Sequence, residues 1–352
     1  MAKLRFLNQP YTLKNLTLRN RVVMPPMCQY AAQDGMPNDW HKVHYTARAI
    51  GGVGLIIVEM TNVAPNGRIS PNCLGLWNDE QRDVFKEIVD SVHQYGAKIG
   101  IQIAHAGRKA QDCQSVAPSA IHYGELDFPG QNLTTPLELS EAEIEELVEK
   151  FRQSVKRAVE AGFDMIELHG AHGYLIHQFA SPKSNQRSDQ YGQDRLLFGE
   201  QVIQAAKSVM PADMMPLAVR FSAQEYGDKG YDLDYGVEIA KRFAAAGADM
   251  LHVSGGGDGV LHPDYHPPIQ AGYQVAFARR IKQETGLPVI AVGMLENADV
   301  ADHVLGTGDA DLVAVGRGLL RDPNWVLNAQ YNRVAADSTG VQFVPPSYTR
   351  AY

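Results

Sequence analysis

FDMIELHGAHGY, residues 163–174, is a run of strand formers that ends in His169 and His172, with Tyr174 two residues further on. Ala161-Gly162 closes a long helical segment just before it. A buried strand that finishes in polar, proton-carrying side chains is how barrel enzymes mount their chemistry. Two later stretches echo this one: AGADMLHVSG at 246–255 and GDADLVAVGR at 308–317. Each passes from a helix ending on glycine, through a small or acidic residue, into a buried strand. The recurrence predicts one βα unit used repeatedly.

Working outward, the same unit can be followed along the whole chain. Residues 4–18 alternate apolar positions around Asn8, Pro10 and Lys14 and predict a short hairpin able to plug the bottom of a barrel. Strands are expected at 21–27, 53–60, 98–104, within 163–174, and at 217–221, 250–254, 288–293 and 311–315. VGLIIVEM at 53–60 is a continuous apolar run, as a parallel strand covered on both faces requires. Helices are expected at 39–51, from Asn78 to 96, from a Ser140/Glu143 capping box onward, and at 194–210, 233–247, 273–286, 297–305 and 324–335. Eight alternating units with polar residues at nearly every strand end favour an α/β (β/α)8 TIM barrel over a doubly wound sheet. One domain, 1–352, is expected, with an N-terminal hairpin within 1–18, a loop insertion at 105–138 and an extended arm at 338–352. Pro345-Pro346 is read as forbidding a helix in that arm.

Composition bounds the function. A formal charge of −8 argues against nucleic acid or an anionic membrane as partner. Cys28, Cys73 and Cys113 lack zinc or disulfide spacing, which points to a reducing compartment. No apolar run has signal-peptide or membrane-span length, so a cytoplasmic enzyme is expected.

The strand ends suggest where chemistry sits. Gly293 after strand seven and Gly316-Arg317 after strand eight match the place where many barrels bind phosphate. Gln102 on strand three and Arg220 on strand five could face a cofactor ring; alternatively Arg220 pairs with a core carboxylate such as Glu167. His169, His172 and Tyr174 admit three readings. They could share a metal with His177, donate to a carbonyl or phenolate oxygen with Tyr174 as proton donor, or simply hold a loop. Cys28 could be a nucleophile or an inert small hydrophobe. GGGDG at 255–259 has no helix close behind it, so it does not form a dinucleotide fingerprint.

Five segments, in order, resemble the old yellow enzymes, flavin-dependent ene-reductases: NRVVMPPMCQY, GGVGLIIVEMTNVAPNGRIS, IGIQIAHAGRKA, AGFDMIELHGAHGYLIHQFASPKSNQRSDQYG and LVAVGRGLLRDPNW. The likeness is closest to the thermophilic-like subclass with a cysteine after the first strand. It implies a TIM barrel that binds FMN non-covalently and no metal. By the same resemblance Pro26, Met27, Cys28 and Met60 would lie along the flavin, with Cys28 tuning its potential. Gln102 and Arg220 would bond the ring's polar edge, and Gly293, Gly316 and Arg317 would hold the phosphate. His169 and His172 would bind the substrate oxygen beside the flavin, and Tyr174 would deliver the proton. Tyr30, Lys109 and the arm's Arg350 would border the substrate, Arg350 from a neighbouring subunit of a homodimer or homotetramer. Pro25 and Met60 depart from the family's small residues there.

The resemblance implies reduction of the C=C bond of α,β-unsaturated carbonyl compounds or nitroalkenes, with NADPH or NADH as hydride donor in a ping-pong cycle. The alternatives are a dienoyl-CoA reductase type, whose cysteine cluster and second nucleotide domain have no counterpart in this sequence, a non-redox phosphate-binding barrel isomerase or lyase, and a non-catalytic flavin carrier.

Overall fold

A computed structural model of the chain describes residues 4–111, 113–123, 134–226, 230–257, 269–332 and 341–352. Parts of five expected features therefore lie outside the described residues: 1–3 of the N-terminal segment, 112 and 124–133 of the insertion, 258–259 of GGGDG, 333–335 of the last expected helix and 338–340 of the arm.

Eight parallel strands close on themselves: β1 Val22–Met24, β2 Leu55–Asn62, β3 Lys98–Ala104, β4 Met165–Gly170, β5 Leu217–Ser222, β6 Met250–Ser254, β7 Val289–Ala291 and β8 Leu312–Ala314. The seam is shut by Val313 beside Val22 and by Val23 beside Leu55. Around them run α1 Asp39–Ile50, α2 Asp79–Gln94, α3 Glu141–Glu160, α4 Leu197–Lys207, α5 Leu233–Ala246, α6 Val275–Thr285, α7 Ala298–Gly306 and α8 Trp325–Tyr331. The sequence signals for the helix ends hold. Asn78 and Ser140 form capping boxes with Gln81 and Glu143. Gly247 and Gly286 close α5 and α6 in the left-handed conformation.

The hairpin is shorter than 4–18, pairing Tyr11–Leu13 with Leu16–Leu18. Its Leu16 and Leu18 join the apolar filling of the barrel made by Leu55, Ile57, Met165 and Met250, so it does plug the bottom. Above that filling the interior turns polar, with Gln102, Glu167 and His252 in one buried layer.

The echoed sequence unit has a physical explanation. Asp164, Asp249 and Asp311, each just before its strand, do the same work three times. The carboxylates of Asp164, Asp249 and Asp311 accept the Ile99, Leu217 and Val289 N–H groups, each at 2.9 Å, while their own main-chain N–H groups donate to the carbonyls of the same three residues at 2.8–2.9 Å. Each carboxylate also holds a lysine: Lys98, Lys207 and Lys282 respectively. A hydrogen bond to a charged group stabilises by about 1.5–3 kcal/mol, so the acidic residue fixes the register of neighbouring strands at their bases.

The arm corrects one expectation. Pro346–Tyr348 forms a single 3-10 turn, because proline at a first helical position lacks only an N–H that would be unbonded anyway. The arm also pairs with its own fold: Tyr352 donates to Asn328 Oδ1 at 2.9 Å and its ring meets Tyr331 edge-on.

Candidate active site

At the C-terminal end of β4 the chain turns sharply, with His172 at φ 57. That turn brings together the three residues of the opening motif. The His169 ring lies 5.3 Å from that of His172 and 4.8 Å from that of Tyr174, both edge-on. His169 Nδ1 accepts the Ala171 N–H at 3.2 Å, which leaves its proton on Nε2. His172 Nε2 meets Ser254 Oγ at 2.8 Å. Burial, with Arg220 beside them, holds both imidazoles well below the usual histidine range, so both are neutral. Burial likewise raises the Tyr174 phenol well above its ordinary value. The motif therefore presents uncharged donors.

His177, the third ligand that a metal reading needs, is occupied elsewhere. Its Nδ1 accepts the Gly173 N–H at 2.8 Å, and its Nε2 faces Glu225 Oε1 at 3.0 Å and the Tyr231 hydroxyl at 3.1 Å. It thus anchors the turn that carries His172 and Tyr174.

Next to this motif lies a cavity of about 260 Å³, lined by His172, Arg220, Ser254, Gly293, Gly316 and Arg317 among others. It joins the two loops expected to hold phosphate to the residue expected at the ring. Gly293 has φ 123, open only to glycine, and a Cβ on Gly316 would stand 3.3 Å from Met27 Sδ. Arg220 is buried, and among the described residues its Nε has no hydrogen-bond partner. Arg220 makes no contact ion pair with Glu167, which uses Oε1 for Gln102 Nε2 at 2.8 Å and Oε2 for His252 Nδ1 at 2.7 Å, although the carboxylate's charge still acts on the guanidinium. An unpartnered buried guanidinium at the wall of such a cavity fits an anionic or acceptor-rich group. Because Gln102 gives its N–H to a carboxylate, its Oε1 remains as an acceptor. A guanidinium in the cavity wall and an amide acceptor on β3 suit the edge of a flavin ring.

The remaining candidates do not line this cavity; apart from Arg350 they gather on the Tyr174 side of the site. Cys28, Met60 and Tyr174 share an apolar cluster with Cys73, and Pro26 and Met27 lead into it from β1. Burial pushes the Cys28 thiol up, which keeps it protonated and unsuited to nucleophilic attack. Tyr30 is half exposed beside it. Lys109 lies 5.2 Å from the Tyr174 ring. Arg350 is exposed on the arm, and among the described residues it meets none of the others. Sequence reasoning missed Ser254, Tyr273 and Gln274 in the cavity wall and the His177–Glu225 anchor. Ser254 had a signal, as the last residue of an echoed strand; Glu225 had none.

The chain matches the sequence profile of the NADH:flavin oxidoreductase / NADH oxidase family over residues 6–336. It is 45% identical over 350 residues to an NADPH dehydrogenase of Geobacillus thermodenitrificans (strain NG80-2), with 97% of each chain covered. It is 44% identical over 325 residues to an NADPH dehydrogenase of Bacillus subtilis (strain 168), covering 91% of this chain and 92% of that one. Among solved structures it is similar to morphinone reductase in complex with tetrahydroNAD, with a TM-score of 0.77, 30% identity, and 92% and 91% of the two chains covered. A closed barrel whose mouth offers neutral donors beside a cavity fit for a flavin, matched over nearly its whole length, belongs to the NADH:flavin oxidoreductase / NADH oxidase family, the FMN oxidoreductases of old yellow enzyme type.

Proposed function

We propose that the enzyme is an ene-reductase, reducing the activated C=C bond of α,β-unsaturated carbonyl compounds or nitroalkenes with NADPH or NADH in two half-reactions at one site. The observation that supports this reading most is the meeting of three uncharged proton donors beside a cavity that also holds an unpartnered guanidinium. Bound FMN would supply the hydride carrier between nicotinamide and the substrate's β carbon. In this reading Gly293, Gly316 and Arg317 hold its phosphate, Gln102 and Arg220 meet the polar edge of its ring, and Pro26, Met27, Cys28 and Met60 line the ring.

His169 Nε2 and His172 donate to the substrate's oxygen, where negative charge grows in the transition state. Being neutral, they stabilise that charge by hydrogen bonds without giving up a proton to it. Tyr174 then protonates the α carbon, a base strong enough to take a proton from a phenol. Tyr30 and Lys109 border the substrate. We infer further that the chain assembles as a cytoplasmic homodimer or homotetramer of the cysteine-bearing subclass, in which Arg350 reaches a neighbouring subunit's pocket. Its exposure, with no partner among the described residues, supports this.

A visible spectrum and stopped-flow kinetics test the reading. The purified protein should be yellow and should release FMN, and Tyr174→Phe should slow enone reduction while leaving reduction by NADPH intact. A flavin-loaded protein that is reduced by NADPH yet transfers nothing to cyclohexenone or a nitroalkene would overturn the substrate class.

A further inference from the structure

β2 contains a carboxylate that has no part in the site as described. Leu55 and Ile57 point into the barrel, and strict alternation would turn Glu59 inward as well. A bulge prevents this: Val58 pairs with Ile101 and Thr61 with Ile103, so Glu59 and Met60 together oppose the one residue Gln102. Met60 consequently joins the cluster at the barrel mouth, and Glu59 is buried against α1.

There Glu59 Oε1 accepts from the Tyr45 hydroxyl at 3.1 Å and lies 3.6 Å from His41 Nε2, an atom with no hydrogen-bond partner among the described residues. His41 Nδ1 accepts the Asn38 N–H at 3.1 Å, so the neutral ring turns its proton toward the carboxylate. Glu59 Oε2 accepts the Gln29 N–H at 2.7 Å, and the Tyr30 N–H lies on the same side of the carboxylate and favours its charge. Tyr30 stands at φ 51, a left-handed conformation strained for a bulky residue. Successive N–H groups at such a turn make a concavity for an anion. Here the anion is supplied by the next strand.

We propose that Glu59 is a positioning residue: its carboxylate, bonded to the Gln29 N–H, fixes the segment that carries Met27, Cys28 and Tyr30 beside Met60 and Tyr174. The inference rests on the reading above, in which that segment meets the cofactor ring and the substrate. Protonation would remove the charge that holds the turn. Burial raises the Glu59 carboxyl to about 7. Every titratable group facing it is uncharged there: burial lowers His41 to about 4 and raises Tyr45 on α1, and it raises Cys28, Tyr30 and Cys73 on the loops. Arg48, the nearby cation of α1, is turned to the Leu319 and Leu320 carbonyls.

The test compares wild type, Glu59→Gln and Tyr45→Phe as FMN-loaded holoenzymes between about pH 5.5 and 8.5, a span centred on the ionisation of Glu59. The readouts are the flavin midpoint potential and the affinity of the oxidised enzyme for 2-cyclohexenone, a ligand that does not titrate. Wild type should bind the enone more tightly above pH 7 than below it. Glu59→Gln should bind about tenfold more weakly at high pH, the loss of one charge-assisted bond, and show no step. Its flavin potential should lie above that of wild type at high pH, where a nearby negative charge opposes reduction, and converge with it at low pH. Tyr45→Phe removes a bond that favours the charged form and should move the step to higher pH. Identical affinities and potentials in wild type and Glu59→Gln across the range would overturn the proposal. If Glu59→Gln does not take up FMN, an unmoved step in Tyr45→Phe overturns it instead. A wild type that binds FMN but no enone would refute the substrate reading, while the potentials would still decide the role of Glu59.

Discussion

Lys109 Nζ donates to the main-chain oxygen of His172 at 2.7 Å, and also to that of Gly257 at 2.7 Å. One ammonium thus ties the turn after β4 to the loop after β6 across the barrel mouth. The Tyr123 ring lies 4.4 Å from the same ammonium, and its hydroxyl donates to the same Gly257 oxygen at 3.1 Å. Lys109→Met should keep FMN content and weaken a phenolic ligand's binding by about tenfold or more, since each bond involves a charged donor. Titration of the flavin absorbance with a para-substituted phenol checks this; unchanged affinity would mean that the turn at His172 holds itself.

Ser254 is expected to fix the tautomer of His172. If its hydroxyl donates to Nε2, the imidazole proton sits on Nδ1 and is available to a ligand. Ser254→Ala should weaken phenol binding and change the nitrogen chemical shifts of His172. In wild type both His169 and His172 should stay neutral as pH falls through the ordinary histidine value of about 6.5, because burial and Arg220 depress both. Nitrogen-15 spectra of labelled histidine would show this directly, and imidazolium shifts at that pH would contradict it.

Tyr174→Phe should divide the two half-reactions. The phenol has no part in accepting hydride from the nicotinamide, and a lost general acid typically costs ~100-fold or more. Equal slowing of both halves in stopped-flow traces would remove Tyr174 from the proton-transfer step.

Glu59 makes a prediction about stability with a definite sign. Its folded carboxyl is raised from 4.5 to about 7, so the folded state favours the neutral form. That stabilisation is fully present below the unfolded value and is lost as pH rises through about 7. A shift of this size corresponds to a contribution on the order of 3 kcal/mol. The melting temperature of wild type should therefore fall between pH 5 and pH 8 by more than that of Glu59→Gln. Parallel curves for the two proteins would rule out a buried, titrating Glu59.

Removing residues 346–352 deletes the Tyr352–Asn328 bond and Arg350 but touches no cavity residue. The truncated protein should retain FMN, bind enones more weakly and dissociate at higher concentration in sedimentation experiments. Unchanged assembly and kinetics would reduce the arm to a tail.

Much of this molecule was legible in its sequence because the signals were local. Continuous apolar runs gave the strands, and β3 and β6 came out with the boundaries expected of them. Asn78 and Ser140 marked their helix starts through side chains within one turn. His169, His172 and Tyr174 could be read as a group because one turn holds all three. What remained illegible depends on contacts far apart in the chain. Ser254 meets His172 across 82 positions, and Glu225 supports His177 across 48. The bulge in β2 was invisible for another reason: it breaks the period of two by which a strand is read, and so hides the outward turn of Glu59.

The three aspartates at the strand bases have a geometric consequence. They sit before β4, β6 and β8, every second strand, so the lower rim nearly repeats on a quarter turn of the barrel. The fourth quadrant breaks the pattern: before β2 stands Gly54, which has no carboxylate to offer the preceding strand and whose carbonyl turns to the following one, accepting the Lys98 N–H at 3.0 Å. The opposite rim has no such symmetry, with histidines on one strand, an arginine on the next and glycines two strands further on. Rotation therefore relates what holds the strands in place and does not relate what they carry. Each strand top can change its chemistry without disturbing the ring of carboxylates that keeps its neighbours in register.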